Sequence, residues 1–407
     1  MIRPWGWAGS KRVSEVRQDP VAIIGAGPTG IEAALACVER DVSFRLFEAG
    51  PSAASGIAEW GGVRLFTPWG MNLSPRMDGA LRALGVDTPD AEACPTGREF
   101  IEHALAPIAG LPAIVRSSEY GARVRHIARE GLSKDHEIGT PLRAGRAFRL
   151  TVRSGGRDRI ARASAVIDCS GGRAVPNWTG DGGVPALGEE ELDERISREI
   201  PDVSDARWRG AHTLLVGAGH SAQTAARDLA SLAAEFPGTR VTWAVRSAEP
   251  DWGSPHDDPL PERAALSRSA DLIASGGAAV DFRSGVVVEE LAQDARGIQA
   301  VLRNGAGREE LRVDQVLALT GRVGDHAMYR QLQVHECYAT SGPMNLAATL
   351  MQAGGDCLAQ PNAGIDVLAN PEPGFFILGA KSYGRNSRYL LQVGYRQVDE
   401  VVKQALV

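Results

Sequence analysis

The sequence predicts an α/β protein with two Rossmann-like dinucleotide-binding domains, the second inserted in a discontinuous first. Three observations carry this expectation. A short apolar run, a G-x-G-x-x-G turn and an apolar helix-forming stretch follow one another from Val21 to Val38. The same order returns from Thr213 to Leu232. The 47 glycines fall in short clusters between apolar runs, as tight strand-to-helix turns require.

The elements follow in order. The opening "MIRPWGWAGSKRVSEVRQDP" lacks a continuous apolar run, so no secretory signal is expected. Val21–Ile24 reads as a buried parallel strand. Gly25 then permits a tight turn, Gly27 lets backbone approach a pyrophosphate, and Gly30 lets helix and strand pack closely. Pro28 and Thr29 open the helix, whose free N–H groups and partial positive charge suit phosphates. Val42–Phe47 reads as the next strand and closes on Glu48, placed to accept hydrogen bonds from a ribose. "TGRE" (96–99) is a capping box opening a helix through Leu105, and "GARVRHIA" (121–128) reads as a strand.

In the second unit Gly217, Gly219 and Ala222 form the G-x-G-x-x-A variant, with His220 and Ser221 inside it. The strand Arg240–Val245 ends on Arg246 instead of an acid. An arginine there suits a ribose 2′-phosphate, which a carboxylate would repel; the alternative is a solvated surface charge. The first site thus favours FAD and the second NADPH, the usual pair for hydride transfer. The last helix carries Leu391, Val398 and Val402 on one face, and Gly394 in that stripe permits a close neighbour.

Composition narrows the rest. The formal net charge of −6 argues against nucleic acid as a partner. No run of 18 apolar residues exists, so no membrane span is expected and a cytoplasmic protein is the default reading. The five cysteines are odd in number and none lie in C-x-x-C spacing, and the eight histidines lack metal spacing, so no disulfide framework or metal site is expected. Cys337 and Cys357 could form a redox pair or capture a thiophilic substrate, or be buried thiols.

The chain resembles the two-dinucleotide-binding-domain flavoproteins, which include flavin-containing, Baeyer–Villiger and N-hydroxylating monooxygenases and thioredoxin reductase. Beyond the two turns, "ASAVIDCSGG" (163–172) and "DQVLALTGR" (314–322) look like the hinges where such chains leave and re-enter the FAD domain. "PGFFILGAKSYGRNSRYLLQVGYRQVDEVV" (373–402) looks like the family's last strand, flavin-contacting turn and last helix. "EWGGVRLFTPWGMNLSP" (59–75) and "GAKSYGR" (379–385) resemble a bacterial subgroup of flavoprotein monooxygenases, some linked to arsenic resistance. The match departs from the family in three places. Gly379-Ala380 stands where Gly-Asp is usual, F-x-G-x-x-x-H is absent before the second turn, and C-x-x-C is absent, which argues against a dithiol reductase.

The resemblance implies an FAD domain over 1–175 and 315–407, a connector over 176–204 and an NADPH domain over 205–314. It implies FAD contacts at Gly25, Gly27, Pro28, Thr29, Gly30, Glu48, Arg64, Val124, Gly379, Lys381, Tyr389 and Leu390, and NADPH contacts at Gly217, Gly219, His220, Ser221, Ala222 and Arg246. The candidate catalytic residues are His220, Lys381 and Trp60. Lys381 could place a cation near the flavin or sit in a solvated loop. Trp60, Arg64 and Trp69 could border the flavin or form a tryptophan-rich core. His220 could touch phosphate, act as acid or base, or cap its helix.

The function expected is an FAD- and NADPH-dependent oxidoreductase, a monooxygenase passing one oxygen of O2 to a small molecule through a flavin C4a-(hydro)peroxide. The alternatives are a flavin or quinone reductase or oxidase without oxygenation, and a non-catalytic flavin redox sensor. A homodimer is left open.

Overall fold

The computed structural model describes residues 19–406 apart from 254–257, 259, 277–279 and 353–363. Two compact units divide these residues. The first comprises the chain up to Gly61, Thr67–Ala174 and Val323 onward, and the second comprises Gly62–Phe66 and Val175–Arg322.

In the first unit, strand β1 (Val21–Ile24) leads into helix α1 (Pro28–Glu39) and strand β2 (Phe44–Phe47). Short β3 (Ser118–Glu119) follows, then an antiparallel meander of β4 (Ala122–Arg129), β5 (Phe148–Ser154) and β6 (Arg157–Ala163), and then β7 (Val166–Asp168). The expected capping box forms: Thr96 accepts from the Glu99 N–H, and Glu99 accepts from the Thr96 N–H at 2.7 Å. The helix it opens continues through Leu105 with a wider π-type turn over Ile101–Leu105.

The second unit repeats the plan. Its strands are β8 (Ile196–Ser197), β9 (His212–Val216), β10 (Arg240–Val245) and β11 (Val280–Ser284), with helices α2 (His220–Glu235) and α3 (Pro261–Ala274) between them. A second meander, β12 (Val287–Asp294), β13 (Gly297–Asn304) and β14 (Gly307–Val313), leads into β15 (Gln315–Ala318). These strands form a parallel sheet in the order β11-β10-β9-β15-β8.

The chain then returns to the first unit with β16 (Phe375–Ile377) and helix α4 (Leu391–Ala405). Its sheet is parallel too, in the order β16-β7-β1-β2-β3. Strand alternation sends Val21, Ile23 and Leu46 to one face, packed with Ile31 and Ala34 of α1 and Val398 and Val402 of α4. Ala22, Ile24 and Phe47 go to the other face and meet Val124, Leu150 and Val152 of the meander. The second sheet divides likewise, Leu215, Trp243 and Leu317 toward α2 and α3, Leu214, Val216 and Val316 toward its meander.

The unit boundaries differ from those expected. Residues 315–322 belong with the second unit, because β15 pairs along β9 from Thr213↔Gln315 to Val216↔Ala318. Its apolar residues Val316, Leu317 and Ala318 are buried there, so the return crossing falls after Arg322. The stretch 176–204 is likewise part of this unit, supplying the edge strand β8.

Candidate nucleotide-binding turns

The first turn is built by steric necessity. Gly25 has φ +93°, and a Cβ on it would lie 2.6 Å from the Cys169 carbonyl oxygen. A Cβ on Gly30 would fall on the Gly25 carbonyl oxygen, so helix α1 can approach β1 only without one. Gly27 is different: nothing lies within 4 Å of where its Cβ would stand. It caps α1 without any side-chain hydrogen bond, so the helix start is open at Gly27, while Thr29 in the first turn is buried. A diphosphate fits such a cradle: donors on backbone, no side chain in the way.

Glu48 closes the turn from β2. Its Oε2 accepts from the Ala26 N–H and its Oε1 from the Gly50 N–H, both at 2.7 Å. Those bonds fix the carboxylate while leaving lone pairs for a sugar hydroxyl.

Thr29 gathers the carboxyl-terminal elements around this turn. Its Oγ1 is 3.0 Å from the Tyr389 hydroxyl. A Cβ on Gly379 would lie 2.7 Å from that oxygen, and one on Gly394 2.8 Å from it. The same Gly394 position abuts the Tyr389 hydroxyl. Burial pushes the Tyr389 phenol up. Leu390 caps α4, again without a side-chain bond. Gly379 N–H donates to Gln397 Oε1 at 2.8 Å.

Lys381 is neither in a solvated loop nor free to face a flavin. It is fully buried, and its ammonium donates to Asp168 Oδ2 at 2.6 Å, Ser170 Oγ at 3.1 Å and the Asp325 carbonyl at 2.6 Å. Its three donors are thereby used, and the Tyr329 ring lies 4.9 Å from the charge. The expected catalytic and cofactor role of Lys381 is corrected to an internal ion pair tying β7 to the turn after β16.

Arg64 lies in a short stretch grouped apart from its sequence neighbours. Gly62–Phe66 groups with the second unit, where Phe66 meets His220 edge to face at 5.2 Å. Trp60 is half-buried beside Gly97, whose Cβ would lie 3.0 Å from the indole, and its Nε1 is buried without a partner. Trp69 is a core residue against Phe100. Val124 points into the core at a β-bulge that falls between Val124 and His126.

The second turn repeats the geometry with other selectors. Gly217 has φ +132°, and a Cβ there would collide with the Leu319 carbonyl. Gly219 caps α2 with open space around it, and Ala222 is buried at the helix contact. Ser221 is exposed, as is Arg246. Among the described residues Arg246 has no ion-pair or hydrogen-bond partner. Among the described residues the buried His220 Nε2 has no hydrogen-bond partner, and desolvation followed by the charge of Arg263 lowers the pKa of the ring.

Among the described residues Cys37, Cys94, Cys169 and Cys337 form no disulfide with one another. Burial pushes Cys37 up to about 12 and Cys169, beside Asp168, well above its usual value. Hydrogen bonding from Thr340 holds Cys337 down, and Cys357 lies outside the described residues. Among the described residues no cluster of three or more histidines, cysteines or carboxylates could hold a metal, and no helix is long and apolar enough to cross a membrane.

No family model matches the chain, and no curated protein sequence matches it. Solved structures do. The bacillithiol disulfide reductase Bdr (YpdA) from Bacillus cereus aligns at 18% identity and TM-score 0.68, over 95% of this chain and 98% of that one. Ornithine hydroxylase PvdA from Pseudomonas aeruginosa aligns at 17% and 0.62, over 95% and 98%. The ornithine N-hydroxylase KtzI from Kutzneria sp. 744, solved with FADred, NADP+ and L-orn, aligns at 15% and 0.60, over 95% and 98%. At these identities the likeness is one of fold: an α/β architecture shared by flavoprotein reductases and N-hydroxylating monooxygenases.

Proposed function

We propose that the chain is an FAD- and NADPH-dependent oxidoreductase, and within that class a monooxygenase acting on a small molecule with O2. The observation that carries the reading is the pair of glycine turns. Each ends in an uncapped helix start whose middle glycine faces open space, and each is followed by a different selector, Glu48 or Arg246. Gly27, Thr29 and Glu48 would hold FAD by diphosphate and ribose. Gly219, Ser221 and Arg246 would hold NADPH by diphosphate and 2′-phosphate. Bound FAD supplies hydride acceptance from a reduced nicotinamide and two-electron reactivity toward O2.

The residues around these turns bind and orient; none is a dedicated proton carrier. The positive end of the α4 helix dipole lies at Leu390, a setting that favours negative charge. His220 is kept neutral by burial, which suits a hydrogen-bonding partner better than a general acid. The thiol nearest the first turn and the cysteine spacing support an oxygen-linked reading over dithiol chemistry at that turn. Cys169, next to the first turn, is held in its unreactive protonated form, and the sequence has no C-x-x-C.

The test is spectroscopic. The purified protein should be yellow, and anaerobic NADPH should bleach it faster than NADH does. In air, a substrate panel should contain a compound that raises NADPH and O2 consumption while peroxide release falls. Stoichiometric peroxide with every compound would instead indicate an oxidase, and bleaching reversed only by quinones a reductase. A yellow protein that NADPH leaves oxidised would leave the sensor reading.

A further inference from the structure

The second turn is held open by two side chains that lie outside the glycine motif. Trp243, fully buried on β10, donates its indole N–H to the Gly217 carbonyl at 2.8 Å. Gln223, 1% exposed in the first turn of α2, donates from Nε2 to the Ala218 carbonyl and to the Trp252 carbonyl, each at 3.0 Å. The Trp252 carbonyl also accepts from Ser267 Oγ at 3.2 Å, and the Trp252 and Trp243 rings pack with centroids 5.2 Å apart.

Peptide geometry gives these bonds a consequence. No peptide here is cis, and in a trans peptide the C=O of one residue and the N–H of the next point in opposite directions. Holding the Gly217 carbonyl inward therefore turns the Ala218 N–H outward, and holding the Ala218 carbonyl turns the Gly219 N–H outward. Among the described residues neither N–H donates to a protein acceptor. The first turn lacks this arrangement, since Glu48 accepts its Ala26 N–H. A buried indole N–H needs an acceptor, but nothing obliges that acceptor to be the first glycine of the turn.

We propose that Trp243 and Gln223 are positioning residues of the second dinucleotide site. Trp243 fixes the two outward N–H groups, and Gln223 ties that turn to the 246–253 loop that carries Arg246. The assignment rests on the reading of the second turn as the NADPH site. Trp243→Phe keeps a ring against Trp252 and removes the donor. Gln223→Leu keeps the volume and removes both of its bonds.

Anaerobic titration of the protein with its flavin already reduced by dithionite, so that no hydride can pass, with NADPH and with NADH, followed by nicotinamide fluorescence, separates the roles. Losing one such bond costs roughly three- to tenfold in affinity. Trp243→Phe should raise both Kd values by about that factor and leave their ratio unchanged. Gln223→Leu should weaken NADPH more than NADH, so the preference for NADPH falls. Flavin content and thermal melting like those of the unmodified protein show that the fold is intact. If Trp243→Phe does not fold, Gln223→Leu decides alone. Unmodified Kd values and ratio in the variants overturn the assignment. An unmodified protein that fails to bind NADPH overturns the reading of the turn itself and the assignment with it.

Discussion

Lys381→Met is the most exposing perturbation of the first unit. It removes the ammonium from Asp168 while roughly keeping side-chain volume. Both partners are fully buried and 2.6 Å apart. At an effective dielectric of about 20 their attraction is roughly 6 kcal/mol, against which stands the desolvation of two charges. What decides the outcome is the carboxylate left behind. Asp168 would keep the Ser170 N–H at 3.0 Å and Ser170 Oγ at 2.6 Å, both on Oδ1, and nothing on Oδ2. Stranding one member of a buried pair costs about 3–5 kcal/mol, and the two remaining bonds place the expected loss near the lower end, about 3 kcal/mol. Urea unfolding followed by circular dichroism reads this directly. Asp168→Asn combined with Lys381→Met removes both charges and should recover at least half of the loss. A single variant that loses less than about 1 kcal/mol, or a double variant no better than the single, would refute the ion-pair account.

The other predictions concern the turns. Gly27→Val should fold normally and fail to retain flavin, because its side chain would enter empty space, whereas Gly30→Ala should destabilise the protein itself by striking the Gly25 carbonyl; flavin absorbance and melting temperature distinguish the two. Arg246→Ala should raise KM for NADPH by about 10- to 100-fold and leave KM for NADH nearly unchanged, and equal effects on both nucleotides would reject the 2′-phosphate role. His220 titrates below its usual 6.5 when folded, so the unfolded chain binds its proton more readily. Its contribution to stability is therefore present above pH 6.5 and lost as pH falls from there through the folded value, and His220→Gln should flatten that acid limb in a series of melting curves.

What the sequence discloses here is what local physics controls. The apolar runs at Val21–Ile24 and Arg240–Val245, the glycines that only a turn needs and the residue ending each second strand all read off short windows. Membership of β15 did not, because "DQVLALTGR" is equally apolar whichever sheet it joins and only pairing with β9 settles it. Lys381 looked like a loop cation, since its partner Asp168 lies 213 residues away. The Thr29–Tyr389 contact spans 360 residues. Trp243 carried a usable signal: an indole in a buried strand must find an acceptor, and the turn that begins one strand over supplies carbonyls. The grouping of 62–66 away from its neighbours on both sides is likewise invisible in a local window.

The dependence of the first turn on Thr29, Gly379 and Gly394 also dictates an order of assembly. Strand β16 and helix α4 leave the ribosome after the whole of the second unit, which except for 62–66 is one uninterrupted stretch that ends at Arg322. During synthesis the inserted unit can therefore complete itself while the surrounding one still waits for its final strand. The first turn is completed only after the second unit has been made, and a chain truncated before Leu391 would carry a finished second unit and an unfinished first one.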